Sequence, residues 1–201
     1  MTPLSGPMVI EPVVLEGLHV RLEPLAPAHL AGLGEVGLDE SLLEFTESYA
    51  PTPDGLRAYV ETALRLRAEG TALPFAVISR AEARPIGSTR YGNIDRAHRR
   101  VEIGWTWYGR SWQRTAVNTE CKYLLLRHAF EVLGCIRVEF KTDALNERSR
   151  RALLRIGARE EGIFRHHMIM PSGRIRDTVY YSIIDDDWPA VKRHLGALLR
   201  G

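Results

Sequence analysis

The feature that most constrains the fold is a strand-like run, a polar turn and a helix-like run that follow one another between residues 101 and 134. The strand-like run is Val101–Tyr108, and the turn occupies residues 109–116. Residues 117–133 then repeat apolar side chains at steps of three and four, until Gly134 ends the helix. Such a unit directs several free backbone N–H groups at one point, which carries partial positive charge. That point suits a phosphate.

The composition sets bounds on the size class and the partners. A chain of 201 residues with 45% hydrophobic and 26% charged residues fits one globular domain over 1–201, with residues 1–12 as a loose lead-in. The 27 basic and 25 acidic residues leave a net charge of +2, which demands neither nucleic acid nor an anionic membrane. No stretch approaches the roughly 20 apolar residues of a membrane span. We therefore expect no nucleic-acid partner and no membrane partner.

The two cysteines indicate a reducing compartment. Cys121 lies on the predicted helix and Cys135 just past its end, and both have apolar neighbours. We interpret them as reduced core residues. The first eight residues lack a basic region followed by a long apolar run, which argues against secretion. The expectation is a cytoplasmic protein.

Before the central unit, residue periodicity predicts three strands and two helices. The strands are Val13–Pro24, Leu73–Ser79 and Pro85–Ile94; the helices are a weak one over Pro27–Leu38 and a stronger one that Asp54 caps and Gly70 ends. Residues 40–53 show no clear period, as in the long loops that frame binding sites. We expect the strands to form an antiparallel meander.

After the central strand, the pattern predicts one parallel pairing. The central helix is predicted to bury Val117, Cys121, Leu124, Leu125, His128 or Ala129, and Val132. Cys135–Asp143 alternates as a strand, so residues 101–143 read strand, helix, strand, which implies a parallel pair with a right-handed crossover. A short helix capped by Asn146, a hairpin around residues 171–173 and a final helix that docks through Trp188, Val191, Leu195 and Leu198 complete the chain. The predicted class is α+β, a mixed, mostly antiparallel sheet flanked by helices.

Three runs of sequence carry a family resemblance. They are Val101–Trp105 followed by Gln113–Glu120, Lys141–Ser149 with Gly157 behind it, and Phe164–Val179. They resemble the GNAT superfamily of acetyl-CoA-dependent N-acetyltransferases, and within it the RimJ/RimL-like branch. The resemblance extends from the first strand to the C-terminal Trp-Pro. It implies a sheet whose parallel strands splay apart, acetyl-CoA as cosubstrate, an amine acceptor (a protein N-terminus or a small molecule) and a possible homodimer.

The turn before the central helix resembles the superfamily's loop, Gln/Arg-x-x-Gly-x-Gly/Ala. Gln113 matches its first position, whereas Ala116 stands where the first glycine is expected and Asn118 where the second small residue is. Glycine permits close backbone approach and positive φ, so Ala116 is a departure that affects phosphate binding. The resemblance implies that this loop holds the pyrophosphate of CoA. The predicted cofactor-binding residues are Trp107, Tyr108, Gln113, Arg114, Thr115, Ala116, Val117, Asn118, Thr119 and Asn146. The alternative is an ordinary helix start with Thr115, Asn118 and Thr119 as caps.

The resemblance also implies the catalytic residues Glu102, Thr106 and Ser149. The backbone N–H near Thr106 is expected to hold the acetyl oxygen, while Trp107 and Tyr108 pair with the pantetheine arm. Glu102 is expected to act as general base, because an amine of lysine type has a pKa of about 10 and is protonated at neutral pH. The alternative is an exposed strand glutamate or a partner of Arg100.

The sequence lacks the residue that serves as general acid in many members of the superfamily. Many superfamily members place a tyrosine acid seven residues after the asparagine that Asn146 matches, and here that position is Leu153. Ser149 or a water is then expected to replace the tyrosine. Asn146 also fits an ordinary N-cap. Arg148–Arg155 suits either the 3′-phosphate of CoA or a solvated helix face.

The resemblance implies an N-acetyltransferase in which the amine attacks the thioester directly within a ternary complex. The alternative is a non-catalytic CoA-binding or regulatory module on the same fold, which Ala116 and Leu153 favour. A nucleic-acid-binding domain that uses Arg148–Arg155 is a third hypothesis, and the near-neutral charge argues against it. His166 and His167 are adjacent and point to opposite sides of a strand, so we assign no metal site.

Overall fold

One mixed sheet of eight strands organises the molecule. The computed structural model describes residues 6–42, 44–45 and 51–200. The strands are β1 (Leu15–Glu16), β2 (Val20–Pro24), β3 (Leu73–Ser79), β4 (Arg84–Asp95), β5 (Arg100–Tyr108), β6 (Arg137–Asp143), β7 (Arg159–Ile169) and β8 (Ile175–Ile184). The helices are α1 (Leu30–Gly37), α2 (Pro53–Ala68), α3 (Ala116–Glu131), α4 (Glu147–Arg155) and α5 (Trp188–Leu198). The strand order is β1-β2-β3-β4-β5-β6-β8-β7.

The pairing of the strands confirms the predicted α+β class. Strands β2 to β5 form the expected antiparallel meander, and β7 pairs with β8 as a hairpin. The pair β5–β6 is parallel, as the strand–helix–strand pattern predicted. Strand β8 then pairs antiparallel with β6 and separates it from β7.

Each face of the sheet buries its own apolar cluster. All seven residues of β3 are buried. Phe75 and Val77 join the cluster that contains α3 and α5, whereas Ala76 and Ile78 join the cluster that contains α1 and α2. This division follows from the alternation of side chains across a strand. Strand β3 therefore reads as a continuous apolar run because helices cover it on both sides.

The first strand of the prediction is divided in two. Val13–Pro24 was predicted as one strand, but β1 and β2 pair antiparallel around a turn at residues 17–19. Leu18 is 75% exposed at this turn, although the alternating pattern placed it with the core residues. The cause is a distant side chain: the Glu120 carboxylate accepts hydrogen bonds from the backbone N–H groups of Leu18, His19 and Val20 at 2.6–2.8 Å.

We expect Glu120→Ala to lower the free energy of unfolding by about 3 kcal/mol, since three N–H groups lose a charged acceptor and Val20 N–H stays buried. Urea denaturation followed by circular dichroism measures the change. Glu147→Ala is the matched control, because Glu147 is exposed and forms an i,i+4 ion pair with Arg151 that contributes under about 0.5 kcal/mol. Equal losses in the two variants would contradict the role assigned to Glu120.

Three predicted helix details are wrong. Thr52, not Asp54, caps α2, since its hydroxyl accepts from Gly55 N–H at 3.0 Å and the helix begins at Pro53. Val132 is 70% exposed because α3 ends at Glu131. Leu198 is 37% exposed in the last turn of α5, while the other predicted docking residues of that helix are buried. The remaining residues predicted to be buried on α3, including both His128 and Ala129, are buried.

Two predicted segments fall partly outside the described residues. The lead-in is described from residue 6, where it has no regular secondary structure, and Met8 packs into the α3 cluster. The irregular segment 40–53 begins with a short 3-10 turn, Glu40–Leu42; residues 43 and 46–50 lie outside the described part. Among the described residues, no helix combines the length and apolarity needed to cross a membrane.

Candidate active site

The parallel strands β5 and β6 part from each other after three residue pairs. Arg100, Val101 and Glu102 pair with residues 137–139, and the ladder ends there, although β5 continues to Tyr108 and β6 to Asp143. Both strands are described in full. The opening beyond Glu102 forms part of a cavity of about 780 Å³ that extends to α4 and the start of α3. The predicted splayed pair is therefore confirmed.

A β-bulge reshapes β5 where it lines the cavity. Ser88 pairs with Trp107 and Arg90 with Gly104, so β5 has one residue more than β4 between these pairs. Trp105 takes up the extra residue with a left-handed backbone, at φ 49°. Because of the extra residue, each β5 side chain after the bulge lies on the opposite face of the sheet from the one that simple alternation predicts. Bulges of this kind often redirect side chains beside active sites.

The bulge overturns one prediction. Strict alternation along β5 predicts that Trp105 lies on the same face as Val101 and Ile103, which pack in the α3 cluster. It instead packs against the α1–α2 cluster, together with Trp107. Beyond the bulge, Thr106 faces α3 and accepts a hydrogen bond from Lys122.

Glu102 lies at the closed end of the opening. Its side chain is buried, with the whole residue 3% exposed, so the alternative of an exposed glutamate is wrong. Arg100 is not its partner either; Asn93 Nδ2 donates to Glu102 Oε2 at 2.7 Å and Lys141 Nζ lies 3.3 Å from the same oxygen. Burial raises the pKa of the Glu102 carboxyl, while the Lys141 ammonium and the Asn93 amide oppose the rise. A carboxylate in this setting suits proton abstraction near neutral pH.

Glycine at position 104 leaves room for this carboxylate. A Cβ built on Gly104 would lie 2.8 Å from Glu102 Oε1, which is closer than such contacts occur. Within the described part of the chain, the carboxylate's hydrogen bond from Asn93 and its ion pair with Lys141 both fall on Oε2. The side of the carboxylate next to the Gly104 backbone is thus kept clear by the absence of a side chain.

Sequence reasoning missed Lys122. The residue is 6% exposed and lines the cavity, and its Nζ donates to Thr106 Oγ1 at 3.2 Å. Thr106 Oγ1 in turn lies 2.8 Å from Thr89 Oγ1. Burial lowers the pKa of the Lys122 ammonium to about 8. A signal was present in the sequence, since Lys122 lies four residues before Leu126 and seven before Ala129 on the inner side of α3.

The start of α3 forms the other end of the cavity. Thr115 is the N-cap, and its hydroxyl accepts from Val117 N–H at a long 3.3 Å. An α-helix leaves its first four N–H groups without an intrahelical acceptor, so others in this turn are open to a ligand. Ala116 is the first helical residue, and the left-handed residue of the loop is Arg114, at φ 60°. Alanine in place of glycine at 116 therefore imposes no strain from positive φ.

Side chains of the loop link it to β5 and α4. Gln113 Nε2 donates to the Tyr108 carbonyl at 3.1 Å, and Gln113 Oε1 accepts from Arg148 at 2.8 Å. Tyr108 OH donates to Asn118 Oδ1 at 3.2 Å. These three hydrogen bonds hold the loop in place next to the cavity. Arg114 lines the cavity, and among the described residues no ion pair joins its guanidinium to a carboxylate.

Helix α4 closes the cavity from the side. Asn146 caps it by accepting from Ser149 N–H at 3.0 Å, as the cap interpretation predicted. Of the arginines on this helix, Arg148, Arg151 and Arg155 line the cavity, whereas Arg150 contacts Tyr181 and Glu160 outside it. Leu153 lines the cavity as well and is buried. The side facing the opening thus carries apolar and cationic groups.

The structure brings most of the predicted site residues together. Those that line the cavity are Glu102, Thr106, Trp107, Tyr108, Gln113, Arg114, Thr115, Asn118, Asn146 and Ser149. Ala116, Val117 and Thr119 do not line it with their side chains. Val117 packs in the core, and Thr119 is buried and accepts from Arg155 at 2.6 Å. Ala116 and Val117 can contribute only backbone groups.

A second cavity of about 570 Å³ also has Glu102 among its lining residues. It lies along β5, β6, β8 and β7 and is lined by Glu102 together with Asn93, Glu139 and Tyr180 among others. Glu102 therefore lines both cavities.

Other titratable groups lie away from this centre. Cys121 and Cys135 are buried and unpaired by disulfide, and burial raises the pKa of both thiols to about 12. His166 has a left-handed backbone, and its N–H donates to Asp177 Oδ1 at 2.7 Å. No group of three or more His, Cys, Asp or Glu side chains within the described ranges is placed to hold a metal ion.

Comparison with known proteins adds independent evidence. A family model described as Acetyltransferase (GNAT) domain matches residues 19–159. The Bacillus subtilis (strain 168) protein named Putative ribosomal N-acetyltransferase YdaF is 34% identical over 100 residues, which is 50% of this chain and 54% of that protein. The chain thus matches about half the length of that relative.

Solved structures show the same fold over almost the whole chain. A GCN5-related N-acetyltransferase from Brucella melitensis is 34% identical, with a TM-score of 0.87 over 94% of this chain and 86% of that one. Mycobacterium smegmatis RimJ in complex with CoA-disulfide has a TM-score of 0.80 over 96% of this chain and 97% of that one. At 22% identity, the likeness to RimJ concerns the fold alone.

Proposed function

The chain belongs to the GNAT acetyltransferase family, as the sequence resemblance predicted, and from that premise we propose that it transfers an acetyl group from acetyl-CoA to a primary amine. One observation carries this proposal: the β5–β6 ladder ends at Glu102, and the opening runs from that carboxylate to the N-terminus of α3. A thioester with a pyrophosphate handle matches this layout, since the phosphates suit the helix end and the thioester can reach the carboxylate.

The proposed position of acetyl-CoA follows from the polar groups along the opening. The pyrophosphate lies against the first-turn N–H groups of α3 and beside Arg114, while Arg148, Arg151 and Arg155 add positive charge along α4. The pantetheine arm runs along the side of β5 that faces β6, beyond the end of the β5–β6 ladder, at Trp107 and Tyr108. The N–H near Thr106 holds the acetyl oxygen as it becomes negative.

The amine enters from the second cavity in this proposal. Glu102 takes its proton, directly or through one water, and the neutral nitrogen attacks the thioester carbon within the ternary complex. The acceptor is a protein N-terminus or a small-molecule amine. The name of the relative YdaF supports the inclusion of ribosomal-protein N-terminal peptides among the acceptors tested.

Calorimetric titration with acetyl-CoA is the first test of this proposal. We expect a dissociation constant well below about 1 mM. A value of about 1 mM corresponds to a binding free energy of roughly −4 kcal/mol. Release of free CoA thiol is then measured with a panel of N-terminal peptides and small amines. Weaker binding than 1 mM would contradict every CoA-based function, whereas binding without turnover of any amine would favour the non-catalytic module, in line with Leu153 at the position of the tyrosine acid.

A further inference from the structure

Lys122 is a buried cation that lines the first cavity, and the reaction proposed above assigns it no role. Lys122 extends from the second turn of α3 into the space between β5 and β6, where its ammonium lies 5.5 Å from the centre of the Phe140 ring. Thr106 Oγ1 is the hydrogen-bond acceptor of Lys122 within the described residues. An ammonium has three N–H donors, so further donors remain for a molecule that occupies the cavity.

A buried lysine with donors left over is costly unless a ligand completes its hydrogen bonds. The opening that Lys122 faces is the one in which the proposed thioester lies, beside the same Thr106 whose N–H is assigned to the acetyl oxygen. Leu153 occupies the place of the usual tyrosine acid and has no proton to donate. A cationic N–H group near the thioester sulfur can donate the proton that Leu153 cannot.

We propose that Lys122 is the general acid that protonates the departing sulfur of CoA. This inference rests on the proposed acetyl transfer and assigns its acid. When the amine nitrogen has bonded to the acetyl carbon, the C–S bond breaks and its electron pair moves to sulfur. The proton passes from Lys122 Nζ to that sulfur, which leaves neutral Lys122 and CoA thiol. Glu102 holds the first proton taken from the amine, and the newly bonded nitrogen loses its second proton to water to become the amide. Exchange with solvent then deprotonates Glu102 and reprotonates Lys122, so that one proton is released per turnover.

The charge environment agrees with this role. Burial disfavours the ammonium and lowers the pKa of Lys122 to about 8, while Cys121 on α3 and Glu102 on β5 oppose that effect. Besides Lys122 itself and Glu102, the charged groups that line the same cavity are Glu44, Arg114, Lys141, Arg148, Arg151, Arg155 and Arg176. An acid that ionises near the working pH transfers a proton to a thiolate of similar basicity with little energetic cost.

The first arm of the test compares turnover of the wild type with that of Lys122→Met over a range of pH. The ratio of the two kcat values cancels the ionisation of the amine acceptor, which both enzymes share. Because the acid form of Lys122 is lost as pH rises through about 8, we expect a ratio of about 100 at pH 7 that falls about tenfold by pH 9. A ratio that does not change with pH would overturn the inference, because it would indicate a structural role.

Two further variants make this arm specific. Lys122→Arg keeps the positive charge but gives up no proton in this range, so it is expected to remain as slow as Lys122→Met. Rescue by arginine would overturn the acid role and leave only a role for the charge. Lys192→Met removes an exposed lysine of α5 that pairs with Glu131, and its kcat is expected to match the wild type within twofold. Circular dichroism and the acetyl-CoA dissociation constant verify that each variant folds and binds.

The second arm needs no turnover. The thiol of bound CoA is titrated through the ultraviolet difference spectrum between bound CoA and bound desulfo-CoA. If Lys122 contacts the sulfur, the thiol in the wild type ionises at least about one pH unit lower than in Lys122→Met. Equal titration in the two proteins would overturn the inference even if acetyl transfer occurs. If the wild type acetylates no amine, the proposed function fails, while this titration still decides whether Lys122 contacts the sulfur.

Discussion

Replacement of Glu102 by glutamine is expected to lower kcat by about 10²- to 10⁴-fold, the usual contribution of a positioned general base. Glutamine keeps the size of the side chain and can still contact Asn93, but it accepts no proton from an amine. Steady-state rates of CoA release with saturating acetyl-CoA measure the loss. Glu131→Gln is the matched control, because Glu131 lies on α3, is hydrogen-bonded to Trp188 and Lys192, and lines neither cavity.

The pH dependence provides a second readout for the same variant. Burial raises the pKa of Glu102 above its usual 4.5, so kcat/KM of the wild type falls as pH drops through that raised pKa. Glu102→Gln is expected to lack this acidic limb. A variant that keeps both the limb and more than a tenth of the wild-type rate would remove Glu102 from the proposed mechanism.

Glu102→Gln is expected to leave the stability of the fold undiminished although it lowers kcat. A carboxyl with a raised folded-state pKa stabilises the fold fully below its unfolded-state pKa, and this contribution is lost as pH rises through the folded-state pKa. At neutral pH the buried carboxylate therefore gives the fold no such support, and glutamine is expected not to lower the melting temperature. A large drop in melting temperature would instead assign Glu102 a structural role.

The sequence was sufficient for the architecture because the architecture depends on local periodicity. Strand β3 could be found from its unbroken apolar run, and α3 from apolar steps of three and four. The parallel pairing followed from the order strand, helix, strand. From these elements and the family resemblance, the opening between β5 and β6 and most of its lining residues could be predicted.

The features that could not be predicted depend on contacts between distant residues. Simple alternation cannot reveal the bulge at Trp105, since an extra residue shifts every later side chain to the other face. The turn at residues 17–19 depends on a carboxylate about a hundred positions away, Glu120. The burial of Lys122 was missed for a different reason: charged residues are usually exposed, and this expectation outweighed the position of Lys122 on the apolar side of α3.

Placement of a negative charge at the start of α3 is the sharpest test of the phosphate end of the cavity. Thr115→Asp is expected to weaken acetyl-CoA binding more than tenfold, which is more than about 1.4 kcal/mol, because like charges are brought together where the pyrophosphate is proposed to lie. Thr115→Asn is the matched control. Both residues cap a helix as well as threonine does and can still accept from Val117 N–H, so they differ mainly in charge.

The same negative charge is expected to stabilise the helix although it weakens ligand binding. Aspartate at an N-cap interacts favourably with the helix dipole, so Thr115→Asp is expected to keep or raise the melting temperature by an amount that corresponds to about 0.3–1 kcal/mol. Weaker binding in a protein of undiminished stability would locate the effect at the ligand and exclude damage to the fold. If calorimetry instead gives equal dissociation constants for the aspartate and asparagine variants, then the phosphates lie elsewhere, and the N-terminus of α3 serves only to begin a helix.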